Sequence, residues 1–355
     1  MKRGIAFEGG GAKGAYQAGA MKAFNQRKIY FKGVVGTSIG SINAACYAQK
    51  IFAKANRIWL STDSKYLFGI EGRIINNIST GNFKLDDLKK GFSSLVKIVK
   101  NAGIDTKNIR KILDTNLDEE KIRKNNIDFG IVTYNLTDKK PVEIFIEDIP
   151  KGKLVEYILA SCYLPIFKFE KIIDDKFYFD GGIHLNCPVD MLIDKDYDEI
   201  YAIRAWHGGK LKYKHKKGVK VHVITPRENL GSIIDFTPES AQYRMDLGYY
   251  DTIKYLDKLD GNKYYFKPYS ENYYSHLFDK PTLKKMIDKH SNSLLIKSDK
   301  EFIIKVIEKV CEECKIKRFR VYNMPYLITR LKYIMIKNKN SEYYEFIKKI
   351  KVDFE

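Results

Sequence analysis

The sequence predicts an α/β fold, a three-layer sandwich with a largely parallel central sheet, and three observations support this prediction. Short apolar strands alternate with helical stretches over the first 260 residues, a pattern typical of parallel sheets covered on both faces. Two of these strands run into glycine-containing turns that lead directly into helices. The chain of 355 residues is 44% hydrophobic, which is enough apolar content to fill a large core.

The individual elements follow from local periodicity. A strand at residues 4–8 precedes a glycine loop and a helix that begins near Tyr16, and a strand at residues 31–35 precedes a second turn and a helix of small residues. Further strands are predicted at residues 128–134, 142–146, 176–179, 199–204 and 219–225, with a short helix at 154–161.

A change of pattern after residue 260 predicts two domains. Residues 1–260 form the α/β domain, and residues 261–355 form a helical C-terminal region of unknown role, because apolar residues recur there at helical spacing with few strand signals. Residues 62–126 are more polar and helical than their surroundings. We expect that segment to insert between core strands as a cover or lid.

Composition limits the classes of protein to consider. Charges interrupt every apolar run before the roughly 18 residues that a membrane-spanning helix requires, and the start of the chain lacks the apolar stretch of an export signal. Five cysteines at irregular spacing fit a reducing compartment better than a disulfide framework. Cys311 and Cys314 have no second pair at metal spacing, so no metal and no cofactor is predicted. We expect a cytoplasmic protein, soluble or peripheral at a membrane.

The formal net charge of +19 is unevenly distributed. Residues 200–227 contain no acidic residue, and six lysines crowd within them: Lys210, Lys212, Lys214, Lys216, Lys217 and Lys220. Such a cluster is typical of contact with phosphates, either of an anionic membrane or of nucleic acid. A solvated face in a lysine-rich chain is the alternative interpretation.

The glycine loop Gly9-Gly10-Gly11-Ala12-Lys13-Gly14 has the spacing of a dinucleotide-binding loop. Such a loop also needs an acidic residue about 20 positions later, and none occurs between Ala15 and Thr62. A nucleotide P-loop fails because Ala15 stands where lysine is required. Glycines can turn their N–H groups toward one point, so the loop is predicted to hold an anion such as a tetrahedral oxyanion.

The second turn, Gly36-Thr37-Ser38-Ile39-Gly40, lies between a strand and a helix. This spacing is typical of a nucleophile elbow, in which residues two before and two after the serine must be tiny because the turn is sharp. The helix N-terminus behind Ser38 favours developing negative charge. Ser38 is therefore the predicted nucleophile, and Gly36, Thr37, Ile39 and Gly40 form its elbow.

A serine nucleophile requires a base within hydrogen-bond reach. Asp180 ends a predicted strand and is followed by Gly181 and Gly182, whose flexibility permits a close approach to another strand end. Because the carboxyl ends of parallel strands share one edge, Asp180 and Ser38 can meet there. None of the six histidines lies in a convincing motif, although His184 and His222 follow Asp180 in the chain.

Taken in order, the glycine loop, the serine turn and Asp180-Gly181-Gly182 resemble the patatin-like phospholipase family, in its bacterial type. Three further stretches agree: Ala160-Ser161 with Pro165 and Phe167, Asn186 with Pro188, and 225–252 with its Thr225-Pro226 and Leu230-Gly231 pairs. The motif-bearing resemblance covers residues 4–194 and a weaker one continues to Thr252. Lys13 stands where the family often has arginine.

The resemblance implies a lipid acyl hydrolase that cleaves acyl esters of phospholipids or related lipids. Carried onto this sequence, Ser38 attacks, Asp180 is the base without a histidine, and N–H groups of the glycine loop, chiefly around Gly10, Gly11 and Ala12, hold the oxyanion. The substrate class favours peripheral contact with an anionic membrane over nucleic acid. Two alternatives stay open: a Ser-His-Asp esterase of the α/β-hydrolase type, using His184 or His222, and a non-catalytic basic protein that binds membrane or nucleic acid.

Overall fold

The computed structural model describes residues 1–68, 103–290, 298–337 and 341–351, with the side chains of residues 289 and 290 excepted. The chain divides into an N-terminal unit, Met1–Thr252, and a C-terminal unit, Ile253–Glu355. This division falls within helix Pro238–Asp257, earlier than the predicted boundary between residues 260 and 261. The prediction used the loss of strand pattern as its criterion. Because the observed boundary lies inside one continuous helix, no change of pattern marks it.

A seven-stranded sheet forms the centre of the N-terminal unit. Its strands are β1 (Arg3–Phe7), β2 (Gly33–Thr37), β3 (Asp128–Asn135), β4 (Lys140–Phe145), β5 (Tyr178–Asp180), β6 (Glu199–Ile203) and β7 (Lys220–Ile224). The order is β4-β3-β2-β1-β6-β7, and β5 also pairs with β3. Strands β3, β2, β1, β6 and β7 are mutually parallel, whereas β4 and β5 run antiparallel to β3. The predicted α/β class with a largely parallel sheet is confirmed.

Helices cover both faces of this sheet. The described helices are α1 (Gly14–Gln26), α2 (Ile39–Ala48), α3 (Phe52–Ser61), α4 (Ser64–Phe68), α5 (Lys107–Asn116), α6 (Glu119–Lys124), α7 (Leu154–Ser161), α8 (Val189–Asp194) and α9 (Pro238–Asp257). Residues of α8 share a buried core with Ala6 and Ala202 on one face. On the other face Phe24 of α1 contacts Tyr201 edge-on, with ring centroids 5.1 Å apart. Burial on both faces explains why β1 after Arg3, and all of β2, consist of small and apolar residues rather than alternating with polar ones.

The strand register places the end of β5 beside the end of β2. Strand β2 pairs with β3 as far as Val132, and β5 pairs with β3 from Thr133 onward, while β4 occupies the opposite side of β3. Strand β5 therefore continues along the side of β3 that β2 leaves. Asp180 pairs with Thr133, and Thr37 pairs with the preceding residue of β3, Val132. Asp180 therefore lies next to Ser38, the residue that follows Thr37. The predicted reason for this meeting was wrong, because β5 is antiparallel and shares a partner strand with β2.

The segment predicted to cover the site at residues 62–126 is helical where it is described, in α4, α5 and α6. Helix α6 begins at an ordinary N-cap, because the Asp118 side chain accepts the N–H of Lys121. The remainder, residues 69–102, lies outside the described residues, so its role as a lid stays a prediction.

The C-terminal unit has its own apolar core. It contains α10 (Glu271–His276), α11 (Lys280–His290), α12 (Asp299–Glu313), α13 (Met324–Met335) and α14 (Tyr344–Lys349), with the two-residue strands β8 (Tyr265–Phe266) and β9 (Val321–Tyr322) paired in parallel. Helices α12 and α13 start at Ser298 and Asn323, whose side chains accept N–H groups of the first turn. Across the described part of the whole chain, no helix is both long and apolar enough to cross a membrane.

Candidate active site

Ser38 occupies the turn between β2 and α2 with φ 55° and ψ −130°. This left-handed conformation costs a serine on the order of 1–3 kcal/mol and persists only where its surroundings impose it. A Cβ atom at Gly36 would lie 2.1 Å from the carbonyl oxygen of Gly40, and one at Gly40 would lie 2.3 Å from that of Phe7. The two glycines of the predicted elbow are therefore required by the path of the chain.

Neighbouring side chains hold this strained turn in place. The Ser38 N–H donates to Oγ of Ser161 at 2.9 Å, and the Ser161 hydroxyl donates to the Val132 carbonyl of β3 at 2.7 Å. The Ser38 carbonyl accepts the hydroxyl of Ser41 at 2.7 Å. Thr37 donates its hydroxyl to the Leu185 carbonyl at 2.8 Å. Both backbone polar groups of Ser38 are thus fixed by short serine side chains.

Asp180 is buried next to Ser38, with 6% of its surface exposed. Burial raises the pKa of this carboxyl to about 6, although the Ser38 hydroxyl and the Gly182 N–H, which donates to Oδ1 at 2.8 Å, both act to lower the pKa. Gly181 permits the close packing, because a Cβ atom there would lie 2.2 Å from the Val132 carbonyl oxygen. At neutral pH the carboxylate form predominates, which is the form a general base requires.

Two acceptor atoms at this site are buried without a hydrogen-bond partner among the described residues: Oδ2 of Asp180 and Oδ1 of Asn186. Ser38 affects the Asp180 pKa as a nearby hydroxyl but makes no hydrogen bond of normal geometry to Oδ2. Buried oxygens of this kind are rare in folded proteins, and a catalytic role is one explanation for them. Oδ2 of Asp180 is therefore available to accept a proton.

Cys162 also adjoins this pair. Its Sγ atom lies 3.9 Å from Oγ of Ser41, and both Asp180 and Ser38 influence its ionisation. Burial, assisted by the negative charge of Asp180, raises the pKa of the Cys162 thiol far above its usual range. The thiol is therefore neutral at physiological pH and is a poor nucleophile, so it does not compete with Ser38 as the candidate nucleophile.

The glycine loop starts against Ser38. A Cβ atom at Gly9 would lie 3.2 Å from Cβ of Ser38 and 2.5 Å from Oδ1 of Asn186. Gly11 has φ 55°, and a Cβ atom there would lie 2.1 Å from the Ile233 carbonyl oxygen. Glycine is required at both positions, at Gly9 by close approach and at Gly11 by backbone conformation as well.

Some N–H groups of this loop donate hydrogen bonds within the protein, and others do not. Four of them donate to carbonyls: Gly9 to Asn186, Ala12 to Ile233 at 2.6 Å, Lys13 to Gly10, and Gly14 to the turn before it. The N–H groups of Gly10 and Gly11 have no acceptor within the described part of the chain. An oxyanion site was predicted at Gly9, Gly10, Gly11, Ala12, Lys13 and Gly14, and Gly10 and Gly11 are the members of this set whose N–H groups are available to such a ligand.

A partly buried tryptophan, Trp206, and a buried glutamate, Glu8, support the glycine loop. Nε1 of Trp206 donates to the Gly9 carbonyl at 3.0 Å. The Glu8 carboxylate accepts the N–H groups of Ala205 at 2.7 Å and Trp206 at 3.3 Å and pairs with Arg204 at 3.3 Å. Burial raises the pKa of Glu8, and the Arg204 charge and these hydrogen bonds oppose the rise. The chain after β6 is thereby held against the loop.

Lys13 is buried at the same place, with 4% of its surface exposed. Its Nζ atom lies 3.5 Å from the centroid of the Trp206 ring, a cation–π contact. Burial, with the nearby charge of Arg244, lowers the pKa of Lys13 to about 8, while Glu8 acts in the opposite direction. The glycine loop thus carries a buried lysine whose charge is lost at mildly alkaline pH.

Arg244 makes hydrogen bonds both to residues 230–235, here called the strap, and to the glycine loop. Its guanidinium donates to the carbonyls of Leu230 at 2.8 Å and Asp235 at 2.6 Å, and more weakly to that of Ala12 at 3.4 Å. The strap in turn supplies the Ile233 carbonyl that accepts the Ala12 N–H. Buried hydrogen bonds from a charged donor are among the stronger ones, so this contact fixes the loop conformation.

Aromatic side chains lie close to Ile39, the residue that follows Ser38. A Cβ atom at Gly14 would meet Ile39 at 2.6 Å and the Trp59 ring at 3.0 Å. Trp59 stacks on Phe236 with centroids 6.0 Å apart, and Phe68 packs edge-on against Phe236. This aromatic group offers an apolar wall beside the elbow.

The two candidate histidines have other partners. His184 lies 2.9 Å from Oε1 of Glu143, and His222 lies 3.0 Å from Oε1 of Glu199 on strand β6. The structure thus pairs each with a glutamate rather than bringing it to Asp180. In the same described region, no group of three or more His, Cys, Asp or Glu side chains is arranged to hold a metal ion.

The structure brings together the predicted residues Ser38 and Asp180 and the glycines of the loop, whereas the residues that support them were not predicted from the sequence. Ser161 appeared only within a resembling stretch, and Glu8, Trp206 and Arg244 were not singled out for any role. Glu8 directly precedes the glycines, which is a weak signal. The contact of Trp206 with Gly9 joins residues 197 positions apart, and no local pattern predicts it.

Comparison with protein families identifies a match that includes these motifs. The family model for patatin-like phospholipase matches residues 5–193, which include Ser38 and Asp180. Among solved structures, VipD from Legionella pneumophila is 15% identical, with 98% of this chain and 78% of that chain covered and a TM-score of 0.37. A chain of the complex of full-length SpcU with full-length ExoU from the type III secretion system of Pseudomonas aeruginosa is 16% identical, with 94% and 68% covered and a TM-score of 0.37.

Structural similarity at this level carries no argument about activity. No match was found among curated proteins. The family model covers more than half of the 355 residues and includes every motif of the site. The chain therefore belongs to the patatin-like phospholipase family, whose members are lipid acyl hydrolases.

Proposed function

We propose that this protein hydrolyses acyl esters of phospholipids or lysophospholipids through Ser38 and Asp180 alone. The supporting observation is the buried Asp180 carboxylate, with one oxygen unpartnered, beside a serine held in a strained turn. In the first step Oγ of Ser38 bonds to the ester carbonyl carbon, and its proton passes to Asp180. The ester C–O bond then breaks, the lipid alcohol leaves with that proton, and the acyl group stays on Ser38.

In the second step a water molecule gives a proton to Asp180 and attacks the acyl-enzyme. The fatty acid departs, and Ser38 recovers its proton. Gly10 and Gly11 are proposed to donate their N–H groups to the oxyanion in both steps, because those two donors are unengaged. Loss of one such donor typically raises a barrier by about 2.7 to 4 kcal/mol. The wall of Trp59 and Phe236 is proposed to receive the acyl chain.

Fluorophosphonate labelling tests the nucleophile. We expect the wild-type protein and the control variant Ser61→Ala, which changes an exposed serine, to be labelled, and Ser38→Ala to be unlabelled. Asp180→Asn should lose hydrolysis of a mixed phospholipid and lysophospholipid panel. Labelling that persists in Ser38→Ala would overturn the assignment, and so would full turnover by Asp180→Asn. A chain that fails to label at all would favour the non-catalytic alternative.

The rival esterase mechanism predicts a different pattern of loss. In a Ser-His-Asp enzyme, either His184→Ala or His222→Ala would abolish turnover. In the structure, however, His184 pairs with Glu143 and His222 with Glu199. We expect each histidine variant to retain most of the wild-type rate on a soluble ester. A loss of several hundredfold in either one would replace the dyad with a triad.

Peripheral contact with anionic membrane through the basic stretch, residues 200–227, is part of the proposal. Lys214 and Lys216 are paired with Asp194 at 2.6 Å and Asp196 at 2.5 Å, which partly neutralises the stretch. The other lysines of the stretch, Lys210, Lys212, Lys217 and Lys220, form no ion pair with the described residues. All five cysteines are free thiols, which supports a reducing, cytoplasmic location. Vesicle sedimentation at low salt, without any preference for anionic lipid, would contradict the contact.

A further inference from the structure

Helix α13 of the C-terminal unit exposes large apolar side chains along one line. Tyr326 is 70% exposed, Tyr333 is 69% exposed, and Ile336, at the end of the helix, is 59% exposed. Their spacings of seven and three residues place all three on the same face of a helix. Single exposed apolar residues are common, whereas an aligned set of large ones is typical of a surface that contacts a protein or a membrane.

The opposite face of α13 already packs into the core of its own unit. Leu327, Ile328, Leu331 and Met335 are each at most 2% exposed and belong to the apolar cluster of this unit. The outward residues Tyr326, Tyr333 and Ile336 are exposed instead of forming part of this core.

Cations surround this outward face. Arg330 and Lys337 are exposed on the same side of the helix, between and beyond the tyrosines. Residues 315–341 contain no aspartate or glutamate, and they contain eight basic residues: Lys315, Lys317, Arg318, Arg320, Arg330, Lys332, Lys337 and Lys339. This stretch is separate in sequence from the basic stretch of residues 200–227.

A shallow groove of about 430 Å³ opens beside Tyr333. Lys315 and Lys337 both line it, together with Cys314, Ile334 and Glu313. The Glu313 carboxylate accepts the hydroxyl of Ser341 at 2.6 Å, so one of its oxygens has a partner within the protein. A groove lined by two lysines and a tyrosine is suited to a phosphate head group at a lipid interface.

We propose that the outward face of α13, defined by Tyr326, Arg330, Tyr333, Ile336 and Lys337, docks on an anionic lipid bilayer. The tyrosines and the isoleucine enter the head-group layer, where amphipathic rings are favoured, and the cations meet lipid phosphates. Charge complementarity and aligned apolar exposure together select a bilayer over a protein partner. The proposal rests on the proposed function in one respect, namely that the substrate lies in membranes.

Sedimentation of the full chain with vesicles tests this surface. Phosphatidylcholine vesicles are compared with vesicles that also contain phosphatidylglycerol. Arg330→Gln with Lys337→Gln should weaken binding to the anionic vesicles roughly 30-fold, from the near-surface contribution of two basic side chains. The triple variant Tyr326→Ser, Tyr333→Ser and Ile336→Ser should lose the part of the binding that survives high salt, since burial of apolar groups is not screened.

Matched controls change equally exposed residues elsewhere. Tyr30→Ser, 61% exposed, and Lys309→Gln, exposed on α12, should bind as the wild type does. Ser38→Ala should also bind normally, so that failure of the catalytic proposal and failure of this one are distinguishable. Wild-type binding by both face variants would overturn the proposal. A wild-type dimer that the triple variant converts to monomer, without loss of vesicle binding, would overturn it in favour of self-association.

Discussion

The side-chain oxygen of Ser161 accepts the backbone N–H of Ser38 at 2.9 Å while its hydroxyl donates to the Val132 carbonyl at 2.7 Å. One small side chain at the end of α7 thus joins the strained turn to strand β3. The Ser38 N–H is buried and has no alternative acceptor in the surrounding described structure. The conformation of the candidate nucleophile therefore depends on a residue 123 positions away.

Replacement of Ser161 by alanine should destabilise the protein and slow ester hydrolysis. The buried N–H of Ser38 would lose its acceptor, which costs on the order of 1–3 kcal/mol. We expect urea unfolding to show that loss and ester hydrolysis to fall in kcat. Ser61→Ala, at an exposed helix end, is the matched control and should change neither quantity. Unaltered stability and kcat in Ser161→Ala would show that the turn holds itself.

The pH dependence of hydrolysis should report the Asp180 carboxyl. Its pKa is raised to about 6 by burial, and only the carboxylate can accept the proton from Ser38. The rate should therefore rise with pH through about 6 and level off above it. Measurement of kcat/KM on a soluble ester across this range checks the expectation. A rise in rate centred near pH 4 instead would mean that water reaches the Asp180 carboxylate, so that burial does not raise its pKa.

Asp180→Asn should abolish hydrolysis and stabilise the fold at neutral pH. The carboxyl has a pKa of about 6 when folded and about 4 when unfolded, so the folded chain binds the proton more tightly. Stability therefore falls as pH rises from about 4 to about 6, and the loss is complete above that range. Denaturant unfolding at pH 7 should favour the variant by roughly 1–3 kcal/mol, with the difference disappearing near pH 4. A variant less stable than wild type at pH 7 would refute this account.

Trp206→Phe should lower kcat with little change in KM. The variant keeps the ring that Lys13 contacts but removes the N–H that holds the Gly9 carbonyl. A displaced oxyanion loop should cost less than a deleted donor, so we expect a loss of about tenfold in kcat. Tyr213→Phe, in the same connection after β6, is the control and should be neutral. A change confined to KM would indicate a role in substrate binding.

Lys13 should produce an alkaline limb in the rate. Its pKa is lowered to about 8, so the positive charge of this glycine-loop residue is lost above that pH. The loss of a cation near developing negative charge should slow turnover. Lys13→Arg keeps its charge at all accessible pH values and should flatten this limb, whereas Lys22→Arg, at an exposed position, should leave it. Persistence of the limb in Lys13→Arg would assign it to another group.

Local patterns were sufficient for much of the fold. The alternation of strands and helices predicted a largely parallel sheet, and the helix at residues 154–161 was placed at its observed bounds. The strand before Asp180 was predicted in place but with the wrong direction, because a run of three or four residues carries no information about its partner. The roles of Ser38 and Asp180 in catalysis stay predictions that the labelling and pH experiments test.

By itself the sequence determined the requirements of the site that arise from neighbours in the chain. Gly36 and Gly40 flank Ser38 because a sharp turn tolerates no Cβ there, and that requirement is visible in five consecutive residues. The tertiary structure decided which distant groups meet. Strand register brings Asp180 to Ser38, Trp206 holds Gly9, and hydrogen bonds within the loop leave only Gly10 and Gly11 as free donors. Steric limits on a turn are local, whereas burial and pairing depend on the path of the whole chain.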